Sequence, residues 1–311
     1  MIDNLKLRVV DQDIIQRLLN NENIMPCKPK TNCYDSFKHS EFGLKLSFDF
    51  RKAIDKGILI GYSYLDMNLS PHYHNNQYKH NGNDFNPLQA TNAISDIVTY
   101  LNIKPHECDR LKVCNIEFGV NIVPDMDVKQ LIDGLFLYKR TLFKVPNCKL
   151  PYYRKSDTTT FKEIKAYAKG LQFIEFPKYD INPNTFRFEI KSKQTKYIKT
   201  CGINTISDLM RLEVYNSLIQ NILNEWELIL LVNVNLKTNE LDTYKREDRQ
   251  FIQDAKRLDF WNILMTKHRN TFNSNKEKYY GILNDKDNLH KQIKILIIDK
   301  LTSFSECAKS T

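Results

Sequence analysis

The sequence of 311 residues lacks the features that would assign it to a membrane or to an oxidising compartment. No apolar run approaches the roughly 20 residues that a membrane-spanning helix requires. Residues 1–8 include an acid and alternate as a strand does, which is not the pattern of a signal peptide. The seven cysteines are odd in number and scattered, and they form neither a disulfide ladder nor a Cys-x-x-Cys pair. We therefore expect a protein of a reducing cytoplasm that has no membrane partner.

Positive charge is concentrated in one part of the chain. The formal net charge is +9, and residues 139–199 hold 15 Lys or Arg against five Asp or Glu, a net charge of +10. The rest of the chain is thus close to neutral. Each phosphate that a cation neutralises releases counterions, so this segment suits a polyanion such as DNA. The alternative is a lysine-rich face that is merely solvated.

Strand and helix patterns interleave early in the sequence, and helical patterns dominate late, with no internal repeat. Strands are predicted at 2–10, 42–50, 57–67, 111–123, 159–169 and 185–191, and helices at 12–20, 87–101, 128–137 and 207–223. Residues 68–86 read as a polar loop, and the apolar run 225–234 is of unclear type. This order predicts an α+β fold in which a mainly antiparallel central sheet is flanked by helices. We place a core at residues 1–235 and a helical C-terminal region at 236–311.

Three of the predicted strands carry polar residues on one face, because successive side chains point to opposite faces of a strand. If the strands share a sheet, its open face collects carboxylates, cations and a tyrosine. The residues on that face are Glu117, Glu163, Lys165, Tyr167, Lys169, Arg187, Glu189 and Lys191. The alternative for each strand is an ordinary solvent-facing surface whose ion pairs contribute little.

Such residues would suit phosphodiester cleavage by a tyrosine. A phenol with an ordinary pKa of about 10 needs activation by a base, a cation or a metal-polarised target. Lys165 and Lys169 share a strand face with Tyr167, and we expect these cations to favour its phenolate form. The segment around residues 70–81 contains His72, His74 and His80. Two histidines at His-x-His spacing on a strand could share a divalent ion with Glu117, which would polarise the phosphate. Solvated polar histidines are the alternative.

Several blocks of the sequence match a known family in order from residue 1 to about residue 211. They are Met1-Ile-Asp-x-Leu-x-Leu-Arg, Asn115-Ile-Glu-Phe-Gly-Val-Asn-Ile, Ala166-Tyr-Ala-Lys169, Arg187-Phe-Glu and Thr195-Lys-Tyr-Ile-Lys-Thr-Cys-Gly202. Together they resemble the phage and plasmid replication proteins related to the gene II and gene X products of filamentous phages. Residues 68–85 resemble the Ser-x-His-Lys-Tyr…Asn-Asp-Phe pattern of some members. Tyr73 and His74 stand at the Lys-Tyr positions, which is a departure from that pattern.

The resemblance implies rolling-circle initiation in a bacterial host cell, by a nicking core similar in logic to HUH endonucleases. The protein would bind a replication origin as single-stranded or supercoiled DNA and cut one strand. Tyr167 would keep the 5′-phosphate and leave a 3′-OH, with Lys165 and Lys169 assisting. The metal would be Mg²⁺ or Mn²⁺, and its predicted ligands are Glu117, His80 and His72, with His74 in reserve. Predicted DNA contacts are Arg187, Lys191, Lys193, Lys196 and Lys199. A host helicase or polymerase is a further candidate partner.

Two alternatives remain open at this point. One is a non-cleaving DNA-binding regulator of the gene X type, for which neither Glu117 nor Tyr167 would be needed. The other is a plasmid mobilisation relaxase that uses similar chemistry for transfer, which mobilisation genes beside its own would favour. A second tyrosine, such as Tyr197 or Tyr78, could also assist in strand transfer.

Overall fold

Alternating apolar and polar residues build one large antiparallel sheet. The computed structural model describes residues 1–146, 152–156 and 160–307. Nine described strands pair in the order β2-β3-β4-β5-β1-β6-β11-β10-β9, and a second sheet has the order β12-β7-β8. The strands are β1 (Ile2–Val9), β2 (Ile24–Pro26), β3 (Tyr34–His39), β4 (Gly43–Asp55), β5 (Ile58–Leu69), β6 (Lys112–Ile122), β7 (Leu135–Tyr138), β8 (Thr141–Leu142), β9 (Tyr153–Ser156), β10 (Lys162–Ala168), β11 (Phe186–Ser192) and β12 (Ile229–Leu231).

The helices of the described residues lie on both faces of the large sheet and beside the smaller sheet. They are α1 (Gln12–Leu19), α2 (Pro71–Asn75), α3 (Pro87–Tyr100), α4 (Val128–Asp133), α5 (Thr195–Thr200), α6 (Glu213–Glu227), α7 (Thr238–Leu241), α8 (Arg246–Ala255), α9 (Leu258–Thr266), α10 (Arg269–Ile282) and α11 (Leu289–Cys307). Residues of α1, α3, α6 and α11 pack on the apolar face of the large sheet. The strand side chains that point to that face, such as Leu7, Phe48, Phe118 and Phe188, are fully buried there. The predicted α+β class is thus confirmed.

The C-terminal helices form a second apolar cluster beside the smaller sheet. Trp261, Phe272 and Tyr279 are buried in this cluster, which also includes Leu137 and Leu230. The last helix behaves differently, because Ile293, Ile297 and Leu301 of α11 lie in the core of the large sheet. The helical region therefore shares a core with the sheet through α11, and the predicted boundary between residues 235 and 236 stays a prediction. No helix among the described residues combines the length and apolar character of a membrane span.

Several elements differ locally from those predicted. The predicted helix at 128–137 ends at Asp133, and strand β7 follows it. Gly134 is the C-cap of α4, and an added Cβ there would lie 2.2 Å from the Val232 carbonyl oxygen beside β12, so this close approach requires glycine. The predicted helix at 207–223 is a 3₁₀ turn at Ile206–Met210 followed by α6. The predicted polar loop contains α2, which begins with a proline at its first position, where the missing N–H has no helical partner to lose.

Candidate active site

A buried polar cluster occupies the second face of the sheet where β6, β11 and β10 run side by side. The antiparallel register sets Lys165 opposite Glu189, Tyr167 opposite Arg187, and Lys191 opposite Glu117. The cluster comprises Asp3, Glu117, Lys165, Tyr167, Lys169, Arg187 and Glu189. Five of these side chains, which the strand pattern predicted to face solvent, are buried: Lys165, Tyr167, Lys169, Arg187 and Glu189. That prediction is wrong because α2 and the segment after it fold back over this face.

Arg187 ties this covering segment to the sheet. Its Nε donates to Asn121 Oδ1 at 2.6 Å, and its Nη2 donates to the Asn81 carbonyl oxygen at 2.9 Å. Its Nη1 donates to the Asp3 carboxylate. All three guanidinium nitrogens thus have acceptors within the protein, and the side chain is 4% exposed. In this arrangement Arg187 positions other groups, and it does not offer the free surface cation that the sequence predicted for DNA contact.

His72 lies beside Arg187 and is also fully engaged. Its Nδ1 is 2.7 Å from Asp3 Oδ1, and its Nε2 is 2.9 Å from Asn83 Oδ1. The ring stacks on Phe85 with centroids 4.5 Å apart. Burial lowers the pKa of His72 to about 4, although Asp3 opposes this shift. The uncharged ring therefore predominates at neutral pH.

Glu117 is held between two lysines. Its carboxylate lies 2.6 Å from Lys165 Nζ and 3.5 Å from Lys191 Nζ. Burial alone would raise the pKa of Glu117, but the adjacent Lys165 ammonium brings it below its ordinary value. Lys165 also approaches Glu189 at 3.5 Å, and the two carboxylates raise its pKa against the effect of burial. Lys165 thus remains charged and bridges both acids.

Tyr167 and Glu189 form the contact of greatest chemical interest. The Tyr167 hydroxyl donates to Glu189 Oε2 at 3.4 Å. Burial, and then the negative charge of Glu117, raises the pKa of Glu189 to about 8. Burial and the charge of Glu189 also raise the pKa of Tyr167 well above 10. The expectation that Lys165 and Lys169 would favour the phenolate is therefore wrong, because Tyr167 is a neutral phenol beside a carboxyl group.

Lys169 supplies a second group that titrates near neutral pH. Its Nζ donates to Asn81 Oδ1 at 2.8 Å and to Gln172 Oε1 at 3.3 Å, and it lies 5.9 Å from the centre of the Tyr167 ring. Burial, reinforced by the positive charge of Arg187, lowers its pKa to about 7. A buried lysine of this kind can exchange a proton with a reacting group at neutral pH.

A further tyrosine lies on the other side of Tyr167. Tyr153 on β9 is opposite Tyr167 in the register, and the two rings stack with centroids 5.0 Å apart and planes at 27°. Tyr153 is half-buried, whereas Tyr167 is 6% exposed. Tyr153 therefore partly shields the phenol. The two tyrosines that the sequence suggested have contacts elsewhere, since Tyr197 donates to Asn221 and Tyr78 stacks on Phe42.

The three predicted metal ligands do not form a donor set in this arrangement. Both Glu117 oxygens face lysines, and both His72 nitrogens have polar partners. The His80 ring packs on Tyr179, with centroids 4.5 Å apart. Among the residues that the structure describes, no three His, Cys, Asp or Glu side chains are grouped as ligands. His74 lies on α2 with His72, not on a strand, and its Nδ1 is 3.1 Å from the Tyr78 hydroxyl.

The remaining predicted DNA contacts are on the surface. Lys193, Lys196 and Lys199 are exposed on and beside α5, and the Lys191 side chain is 42% exposed. Sequence reasoning left Asp3, Asn81, Asn121 and Glu189 out of the predicted site. Glu189 and Asn121 had a detectable signal, because they share strand faces with Arg187 and Glu117, whereas the loop residue Asn81 had none.

No protein-family model matches this chain, and none of the curated proteins matches it. The side chains of the polar cluster and the sequence resemblance are therefore the basis for a functional proposal.

Proposed function

We propose that this protein is a DNA-nicking transesterase that initiates rolling-circle replication, with Tyr167 as its nucleophile. The observation that carries the proposal is the contact between the Tyr167 hydroxyl and Glu189, 3.4 Å apart within a cluster of three buried cations. A phenol needs a base to become a nucleophile, and a carboxylate at this position can accept its proton. The order of the matching sequence blocks supports DNA as the substrate.

Side chains of this cluster supply the nucleophile, the base and the acid that the chemical step requires. Tyr167 Oη attacks the phosphorus atom of a phosphodiester and transfers its proton to Glu189. An Oη–P bond forms while the P–O3′ bond breaks, and the protonated Lys169 donates a proton to the leaving O3′. The ammonium of Lys165 stabilises the charge that develops on the phosphoryl oxygens. The products are a 5′-phosphotyrosine and a free 3′-OH, which a later strand transfer reverses.

A purely structural role for the cluster does not explain the properties of Glu189 and Lys169 as well as a catalytic role does. Glu189 Oε1 is buried with no hydrogen-bond partner among the described residues, and its nearest cation is Arg187 Nη1 at 3.9 Å. An unsatisfied buried carboxylate oxygen is unfavourable for folding. Two groups of the cluster, Glu189 and Lys169, have pKa values shifted towards neutral in opposite directions. Such paired shifts are typical of sites that transfer protons.

One observation favours a non-cleaving DNA-binding regulator as the second candidate. Tyr167 is only 6% exposed, so a phosphate reaches it only after Tyr153 or the covering segment moves. A regulator would bind DNA through the exposed Lys193, Lys196 and Lys199 and leave the cluster closed. A mobilisation relaxase would share the transesterase chemistry, and the two uses differ in the DNA substrate alone.

A covalent-adduct assay separates these functions. The protein is incubated with single-stranded DNA of its own replicon, and the DNA-bound peptide is identified by mass spectrometry. We expect an adduct on Tyr167 that Tyr167→Phe abolishes while DNA binding persists. Tyr153→Phe is the matched control, because it removes a hydroxyl from the stacked neighbour and should retain the adduct. An adduct that persists in Tyr167→Phe would exclude this nucleophile, and the lack of any adduct in the wild type would favour the regulator.

The requirement for Mg²⁺ or Mn²⁺ stays a prediction, and the present donor arrangement does not fit it. The same assay in EDTA, in Mg²⁺ and in Mn²⁺ tests the requirement, and full nicking in EDTA would contradict it. Glu117→Gln also releases Lys165, so its loss of activity alone does not identify a ligand. Calorimetric titration with Mn²⁺ of the wild type and Glu117→Gln provides the direct measurement.

A further inference from the structure

The polar face of the sheet continues well beyond the cluster and carries an unusual row of side chains at its other end. Tyr34, Arg51, Tyr64 and Arg8 lie on the adjacent strands β3, β4, β5 and β1. Tyr34 is paired with Arg51, and Arg51 with Tyr64. Arg8 is paired with Asp66, which lies two residues beyond Tyr64 on β5. We call this alternation of aromatic rings and guanidinium groups the Tyr–Arg row.

Contacts within the row fix its planar groups. The Arg8 guanidinium lies 4.0 Å from the centre of the Tyr64 ring, and that of Arg51 lies 5.1 Å from the centre of the Tyr34 ring. The two tyrosine hydroxyls are hydrogen-bonded at 2.8 Å. All four side chains are half-buried, so part of each remains accessible. A row of ordered planar groups, alternately aromatic and cationic, is suited to stacking bases and binding the phosphates between them.

Charge on this part of the face is arranged in two layers. Asp49 and Asp66 are directly opposite each other on β4 and β5, and such a like-charge pair is unfavourable unless cations neutralise it. Asp66 is 2% exposed beneath Lys6 and Arg8, which are 23% and 37% exposed and lie 2.7 Å from its oxygens. Asp49 is 14% exposed, and Lys30 Nζ lies 3.9 Å from its carboxylate. Both acids are thus largely buried and have more exposed cations beside them. The outer layer of this part of the face is positive and complements a phosphate backbone.

The row and the polar cluster lie on the same face of the sheet, and α2 with the segment after it covers the end that holds the cluster. Tyr64 and Tyr167 are separated by ten residues along the strand direction, two on β5, four on β1 and four on β11. They are also four strands apart across the sheet. At about 3.3 Å per residue and about 4.8 Å per strand, the separation is on the order of 35–40 Å. A single strand of DNA that contacted both Tyr167 and the Tyr–Arg row would have to span this distance.

We propose that the Tyr–Arg row binds single-stranded DNA by stacking its bases, at a distance from the cleaved phosphodiester. This role rests on the proposed nicking function for its biological meaning, but the binding itself does not require cleavage. Stacking is sequence-tolerant because every base has an aromatic face, so the row serves as an anchor and not as a reader of origin sequence.

The test measures binding of fluorescein-labelled dT20 by anisotropy over a range of salt concentrations. We expect Tyr34→Leu/Tyr64→Leu to weaken binding by roughly tenfold or more, because stacking on an aromatic ring makes a large contribution per base. Tyr34→Phe/Tyr64→Phe keeps both rings and should bind as the wild type does. The control Arg211→Ala/Arg269→Ala removes two arginines that are not on the sheet, and it should have little effect.

Several results would overturn the proposal. Binding of dT20 by the leucine variant at wild-type affinity would exclude the row, and an equal loss in the phenylalanine variant would exclude stacking. A blunt 20-base-pair duplex that binds as tightly and responds to the same variants would exclude a single-stranded occupant. If the leucine variant does not fold, Arg51→Gln replaces it, and we expect the salt slope to fall by about 0.7. An unchanged slope would then reject the row. If no adduct forms on Tyr167 but dT20 binding still depends on the Tyr–Arg row, the nicking function is rejected and the binding role of the row is kept.

Discussion

At the scale of single residues, the polar cluster contains an acid, Glu189, and a base, Lys169, whose pKa values are both shifted towards neutral pH. The pKa of Glu189 is raised to about 8 and that of Lys169 is lowered to about 7, so both groups change protonation state near neutral pH. The proposed step requires an ionised Glu189 and a protonated Lys169, and the population of this form depends on pH. Burial is the main cause of both shifts, and it also keeps water away from the reacting groups.

This pair predicts a bell-shaped dependence of adduct formation on pH. The rate should rise as Glu189 ionises towards pH 8 and fall as Lys169 loses its proton above pH 7, with a maximum between these values. Glu189→Gln should abolish adduct formation, because no base then accepts the Tyr167 proton. Lys169→Arg stays charged at high pH but does not give up its proton to the leaving O3′, so we expect a lower rate of adduct formation with no alkaline limb. Glu175→Gln, an exposed acid, is the control. A flat profile between pH 6 and 9 would contradict the assignment.

Arg187 gives a second prediction, on folding stability. Arg187→Met leaves Asp3, whose side chain is only 12% exposed, without its cation, and we expect the free energy of unfolding to fall by about 3–5 kcal/mol. Asp3→Asn/Arg187→Met removes both charges and should be less destabilised than the sum of the single variants. Urea denaturation measures all four proteins. Strict additivity would show that the two charges are not coupled and that Arg187 does not position the covering segment through Asp3.

At the scale of elements, the sequence located the strands of the site well and their surroundings poorly. Period-two alternation is a local signal, and it correctly placed Lys165, Tyr167 and Glu189 on one side of β10 and β11. The covering of that side depends on Asn81 and Asn83, which are remote in sequence, so alternation could not reveal it. Helix α2 lies in the segment predicted as a loop, although Ser70 followed by Pro71 is a pattern typical of a helix start.

The spacing of β6 and β11 yields an element-scale prediction. An added Cβ at Gly119 would lie 2.3 Å from the Phe188 carbonyl oxygen and 2.9 Å from Glu189 Cα. Gly119→Ala must therefore separate the two strands and displace Glu189. We expect a destabilisation of about 1–3 kcal/mol and a loss of adduct formation. Gly281→Ala in α10 meets no atom within 4 Å and should stabilise by roughly 0.5–1 kcal/mol. Normal nicking by Gly119→Ala would show that Glu189 does not need its present position.

At the scale of the whole molecule, α11 decides whether the chain has one cooperative core or two. The chain has two tryptophans. Trp226 packs on Phe186 and Phe188 in the core of the large sheet, and its Nε1 donates to the His290 carbonyl oxygen of α11 at 3.2 Å. Trp261 lies in the second apolar cluster. The two indole rings thus report on the two clusters separately.

Unfolding in urea is followed by the remaining tryptophan in each of the Trp226→Phe and Trp261→Phe proteins. If α11 couples the clusters, the two proteins should unfold at the same urea concentration. Adding Ile297→Ala should then lower that concentration equally in both. Ile297 is fully buried, so its truncation should destabilise by about 2–5 kcal/mol, whereas Ile295 is 48% exposed and Ile295→Ala should change stability by less than about 0.5 kcal/mol. The alternative follows from the predicted boundary at residue 236. Independent regions would unfold at different urea concentrations, and Ile297→Ala would move only one of the two transitions. That result would mean that α11 rests on β6 without joining the two cores, and the active-site sheet would then fold without the C-terminal helices.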